Sequence, residues 1–358
     1  MTLNKKIKTK EKIKVEKDSW TLFEEGEKKR SASKFIEAVS LYNKALALSK
    51  KDKELTLTCR ISLAHALRLS GDFKGAKKNY NLANKLALKL DYIRDALDSE
   101  TGLALTLRAT SEHREALKIL NKLIKEYKAM DDVQGYAFAI WARAGTYRVC
   151  GDITKAIEGF KESKKLFTRL KDTSGISYSL TGLGGASRIA LKHALSKKYY
   201  TEANKLFSKS KDTFGLAYSY CGIGNSLRMK GDFEGSLKYF QKARTNYKKI
   251  GDIVSYAYTL WAEATARQIL GRDKTALKGL KEALILFKKT GDKRGVIYSQ
   301  MSIAELDFKA CKVKLAEKTL SLCLVNAKKY GYKIETSYVK DIIKAIKKNP
   351  ESLPLNLA

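Results

Sequence analysis

The chain has 358 residues, and 71 Lys and Arg against 38 Asp and Glu give it a formal net charge of +33. An apolar content of 44% is enough for a large core and excludes a chain disordered by composition, and no apolar run is long enough to span a membrane as a helix. Five scattered cysteines without a CxxC pair and three isolated histidines exclude a disulfide framework or a metal cluster and fit a reducing compartment, so a soluble, cytoplasmic protein is expected.

Residues 1–17 form a basic tail, "MTLNKKIKTKEKIKVEK", that lacks the apolar stretch of a secretory signal and reads as mobile. From there to Asn349 there is no proline, because Pro350 and Pro354 are the only two in the chain. The strongest helix breaker is therefore missing from the whole middle of the protein. Dipeptides ending in Asp recur on a forty-residue lattice at Lys51-Asp52, Asp131-Asp132, Lys171-Asp172, Lys211-Asp212, Gly251-Asp252 and Gly291-Asp292. A second lattice, offset by twenty, carries Gly71-Asp72, Gly151-Asp152, Gly231-Asp232 and Gly271-Arg272. Each unit thus holds two helices of about 17 residues, with glycine closing one and aspartate capping the next.

Eight units follow, at 18–50, 51–90, 91–130, 131–170, 171–210, 211–250, 251–290 and 291–330. The first is two residues out of register, and the fifth has "ALKHALSKKYY" where a glycine turn is expected. In the second helix of each pair a small residue precedes a large one by four, as in Ala156 and Phe160 or Ser236 and Phe240. In the first helix a small residue recurs at Ala64, Ala104, Ala144, Gly184, Gly224, Ala264 and Ala304, so that two backbones can approach closely. Residues 331–348 read as a capping helix, and the proline-bearing 349–358, "NPESLPLNLA", as a flexible tail.

The segments "LTGLGGAS" with Ser196 and Tyr200, and "YCGIGNSL" with Ser236 and Phe240, resemble the tetratricopeptide repeat, whose pattern is W-x2-L-G-x2-Y…A-x3-F. The forty-residue unit and its "D-x2-G-x-x-Y" opening are similar to the longer-repeat branch of that superfamily, with Pins/LGN-type, kinesin-light-chain and MalT-type repeats. The resemblance covers about residues 18–330. It implies an all-α, right-handed superhelical solenoid whose first helices line a concave groove.

If so, one stripe of each first helix faces that groove. Down the repeats its first column includes Tyr178, Tyr218 and Tyr258, and its second includes Trp141 and Trp261. Its last column is Arg30, Arg68, Arg108, Arg148, Arg188 and Arg228, six of the 15 arginines in the chain. Only Glu27, Asp98 and Glu305 bring acid to this stripe. Asn225 occupies the place of a groove asparagine in Pins-like and kinesin-light-chain-like repeats, but the other repeats carry no asparagine there.

Two roles are open for the arginines. Charge-assisted forks beside aromatic rings suit an extended acidic peptide, or alternatively single-stranded RNA or DNA. The competing role is structural, since Arg68, Arg108, Arg148 and Arg228 each have an acid four residues on that could pair with them across the turn. The glycines of "TGLGGAS" lie inside a helix and are packing residues rather than a phosphate loop. No histidine sits near a nucleophile or a paired carboxylate, so the expectation is a non-enzymatic interaction scaffold without a cofactor or metal.

Overall fold

The computed structural model describes residues 18–357, so the expected basic tail at 1–17 lies outside the described residues. Among the described residues there are seventeen α-helices and no strand. The first units pair α1 (Ser19–Ser31) with α2 (Phe35–Leu48), α3 (Lys53–Ser70) with α4 (Phe73–Lys89), and α5 (Ile93–Ala109) with α6 (His113–Ala129). Next come α7 (Val133–Cys150) with α8 (Ile153–Arg169), α9 (Thr173–Ile189) with α10 (His193–Ser210), and α11 (Thr213–Met229) with α12 (Phe233–Ile250). The array ends with α13 (Ile253–Ile269) and α14 (Asp273–Thr290), α15 (Lys293–Lys309) and α16 (Val313–Lys329), and the single helix α17 (Lys333–Lys348). The forty-residue lattice is therefore a train of helix pairs, an all-α solenoid.

The turns follow from local chemistry. From Gly71 to Gly331 every twentieth residue has a positive φ, whether it is glycine or, as at Asp91, Asp131, Lys171 and Lys211, a larger residue. The next residue's N–H returns to the carbonyl five positions back, as from Asp72 to Leu67 at 2.9 Å, which satisfies the helix C-terminus. Aspartates at the second position then cap the following helix. Asp172 accepts the Gly175 N–H at 2.9 Å and Asp212 that of Gly215 at 2.8 Å. In the fifth unit, where no glycine stands, Leu191 takes the left-handed conformation with φ 58°.

Two layers result. The first helices are enclosed on most sides: α9 buries eleven residues between Gly175 and Ser187. Its partner α10 buries only Ser196, Tyr200, Ala203 and Phe207, the one-sided stripe of an outer helix. Tyr200 shows how the layers interlock. Its ring lies between the backbones of α9 and α11, and a Cβ on Gly184 or Gly222 would collide with it. Small residues in one layer thus make room for a large ring from the other.

The solenoid coils until its turns meet. The ring of Phe35, after the first turn, lies 6.2 Å from that of Phe214 at the start of α11. Gly71 packs on Val254, His113 on Tyr332 at 5.8 Å, and Gly151 on Lys333 and Ile334. Several of these contacts join residues about 180 apart, four and a half units of the forty-residue period. They give the superhelix a second set of contacts beyond those between neighbouring repeats, and they leave a channel along its axis.

Candidate functional site

Stripe residues of the first helices line this channel. A cavity of about 830 Å³ is bounded by Arg30, Arg68, Arg108, Arg148, Trp141, Tyr178 and Tyr218, among others. A second, of about 330 Å³, continues along Arg108, Arg148, Arg188, Tyr218, Asn225, Tyr258 and Trp261. All eleven residues singled out in the sequence as candidates border one or both cavities, apart from Arg228, which is fully buried beside the second.

The acid partners available to the arginines across the turns are engaged elsewhere. Asp72 caps Gly75, Asp152 caps and pairs with Lys155, Asp232 caps Gly235, and Glu112 pairs with Lys77 at 2.9 Å. No ion pair joins Arg68, Arg108, Arg148, Arg188 or Arg228 to a carboxylate among the described residues. The structural role open to these arginines in the sequence, a salt bridge across the turn, is thereby corrected. An aspartate that caps its own helix points at the N–H three residues on, away from the preceding helix. Arg30 differs, because it pairs at 2.5 Å with Glu27, which also accepts from Tyr42.

Instead, Arg108, Arg148 and Arg228 lie against the next repeat. The Arg108 guanidinium sits over the Trp141 ring at 5.9 Å and reaches the Ala142 carbonyl at 3.5 Å. A Cβ on Gly145 would overlap its Nη1, and one on Gly185 would overlap that of Arg148. The Nε of Arg68, Arg148 and Arg188 is buried without a hydrogen-bond partner. Burial, and then repulsion from Arg148 and Arg68, pushes Arg108 down to about 10. Beyond Arg30, the column is a row of cations with no ion-paired carboxylate among the described residues, although Asp98, Asp132, Asp172 and Asp212 also border the larger cavity.

The aromatic residues divide. Trp141 stacks on half-exposed Phe138 at 5.4 Å and donates its indole N–H to the Tyr178 carbonyl at 3.2 Å. Tyr178 and Tyr258 donate to the capping aspartates Asp212 and Asp292, at 2.8 and 3.2 Å, and so brace successive repeats. Trp261 is 7% exposed, packs 4.5 Å from Tyr298 and donates to Ser302. Tyr218 borders both cavities, where they meet.

Residues 353–357, expected as part of a flexible tail, pack on the first helices next to residues that line the second cavity. After a short 3-10 turn, Pro350–Ser352, residues 353–357 run back to contact α11 and α15. Arg228 donates to the Asn356 side-chain oxygen at 2.6 Å and to the Leu357 carbonyl at 2.7 Å, and Asn356 donates to the Arg228 carbonyl at 2.9 Å. Glu305 accepts the Leu355 N–H at 2.8 Å, while Leu353, Leu355 and Leu357 pack on the core around Trp261. Composition alone reads such a segment as loose, because its partners lie 50 residues away at Glu305 and 128 away at Arg228, and only the coiling brings them close.

Sequence reasoning also missed a buried cluster beside the second cavity. Glu335 of α17 is fully buried, pairs at 2.5 Å with Arg294 and accepts from Tyr298 at 2.7 Å. Arg294 opens its helix and so falls outside the column at the other end.

No family model matches the chain, and no curated protein matches it. Solved structures do. Rap protein complexed with competence and sporulation factor superposes with a TM-score of 0.62 at 11% identity, over 93% of this chain and 99% of that one. NprR in complex with its cognate peptide NprX gives 0.61 at 14%, over 83% and 86%. The APC/C hetero-tetramer Cut9-Hcn1 gives 0.63 at 17%, over 91% of this chain but 55% of the other. At these identities the likeness is one of fold: like these structures, the chain is an all-α solenoid of helix pairs, as its forty-residue period and interlocked small and large residues require.

Proposed function

We propose that the chain is a non-enzymatic binding scaffold whose channel takes an extended segment of another protein, with acidic side chains or carboxylates meeting Arg68, Arg108, Arg148 and Arg188. The observation that carries this reading is the column itself: four guanidinium groups on one channel wall, with no carboxylate paired to them among the described residues. An anion laid along the column would relieve the mutual repulsion and gain charge-assisted hydrogen bonds. Two of the similar structures, Rap protein and NprR, are complexes with a factor and with a peptide, which is consistent with a peptide in the channel of such a fold.

A nucleic-acid ligand is the less favoured occupant. The capping aspartates Asp132, Asp172 and Asp212 also border the larger cavity, and they would face a continuous phosphate backbone unfavourably. The triple substitution Arg108→Ala, Arg148→Ala and Arg188→Ala is expected to weaken binding of a labelled Glu- and Leu-containing peptide by at least tenfold while the helical circular dichroism stays unchanged. Equal binding by the variant and the parent refutes the assignment. Tighter binding of a single-stranded oligonucleotide than of the peptide, lost in the same variant, would reassign the column to nucleic acid.

A further inference from the structure

The docked segment 353–357 is held as a groove would hold a bound peptide. The contacts that hold residues 353–357 are those by which a groove reads a peptide main chain. A side-chain fork grips a backbone carbonyl, through Arg228 to Leu357, and a carboxyl group takes a backbone N–H, through Glu305 to Leu355. Asn356 is clasped from both directions, donating to the Arg228 carbonyl and accepting from its guanidinium. The three leucines fall at alternate positions and pack against the apolar core cluster to which Trp261, Tyr298 and Met301 belong. Asn225, the groove asparagine, accepts from Arg228 at 3.4 Å and so orients the fork. Arg228 has no carboxylate partner among the described residues, and it stands one repeat beyond Arg188 in the same column. The occupied stretch is thus continuous with the open one.

We propose that the segment 353–357 is an intramolecular ligand, held in a distinct subsite of the channel that accepts a short, uncharged, leucine-bearing peptide, and that such a peptide supplied in trans displaces it. This deepens the reading of the channel as a peptide groove by giving its two ends different ligand chemistry: carboxylates along Arg68 to Arg188, and apolar side chains with bare main-chain groups at Arg228 and Glu305. While the tail is seated, a partner peptide can use only the first end. Release of the tail adds the second.

The test uses the peptide acetyl-SLPLNLA-amide, which has the sequence of residues 352–358 and no charge, labelled with a fluorophore. A chain shortened to end at Ser352 is expected to bind it saturably, and the full chain at least tenfold more weakly. Asn356→Ala in the full chain, which removes the clasp without shortening the protein, is expected to recover binding in part. Failure of a shortened chain that retains its helical circular dichroism to bind the peptide overturns the proposal, as does equal binding by the full and shortened chains. Should the shortened chain not fold, the full chain decides. Protection of the Leu355 amide from hydrogen exchange, together with tighter peptide binding by the Asn356→Ala variant, upholds the proposal. Exchange of that amide at the rate of an unstructured peptide, or no gain in binding, refutes it. An acidic peptide that binds through Arg108 and Arg148 while the leucine peptide does not would leave the first reading intact and sink this one.

Discussion

Arg108 with Trp141 and Arg228 with Trp261 are the same pair repeated three units apart, each guanidinium just under 6 Å from the ring. Around Arg108 the channel is open, and Trp141 stacks on a half-exposed Phe138. Around Arg228 it is filled, and the arginine has no exposed surface. What differs is the material opposite the pair. Arg228 meets Asn356 and the Leu357 carbonyl, whereas Arg108 has only α7 of the next repeat opposite it, where it reaches the Ala142 carbonyl. Identical columns in a repeat protein can therefore hold different duties, set by what the superhelix carries past them.

The largest expected effect breaks the filled half alone. Glu335→Ala leaves the partly buried Arg294 without its fully buried partner and should cost about 3 kcal/mol, read as a fall in the denaturant midpoint. Next comes the comparison itself. Arg228→Ala removes two short hydrogen bonds to the tail and should cost about 1.5–3 kcal/mol, whereas Arg148→Ala should stay within about 0.5 kcal/mol because it also relieves repulsion within the column. Equal losses in thermal unfolding would mean that the two halves do the same structural work.

A third test turns on Glu305, whose burial raises it to about 8 from an ordinary value near 4.5. Between those values the folded chain keeps a proton that the unfolded chain has released, so stability falls as the pH rises through that window. Glu305→Gln keeps an acceptor for the Leu355 N–H but carries no charge. Its Tm should match the parent at pH 5 and exceed it at pH 9. The smallest effect should come from Gly145→Ala. The added methyl pushes the Arg108 guanidinium aside, which should change peptide affinity a few-fold in a titration while Tm shifts little.

The helix pairs were legible because the fold repeats its instructions. An aspartate cap and a left-handed residue twenty positions apart state the turn in local chemistry, and even Leu191, without glycine, obeys the lattice. The stripe of candidate residues was legible for the same reason, since helix geometry carries one face from repeat to repeat. Two things were not. The i, i+4 spacing of Arg68 and Asp72 looks like an ion pair until the aspartate is seen capping Gly75, a choice between two local partners that spacing does not rank. The docking of Leu355 and Asn356 depends on how tightly the solenoid coils, and that is fixed by packing summed over many repeats rather than by any one segment.

That coiling has a consequence for how the molecule can change. An open array of repeats unfolds piecemeal and tolerates gain or loss of a unit, because each repeat answers only to its neighbours. Here Phe35 rests on Phe214 and His113 on Tyr332, so inserting or deleting one forty-residue unit between them would set every such contact one repeat out of step. The number of repeats is locked by the winding, and the protein should melt as one body. Lineages carrying it should vary in the residues that face the channel far more readily than in the count of units that encloses it.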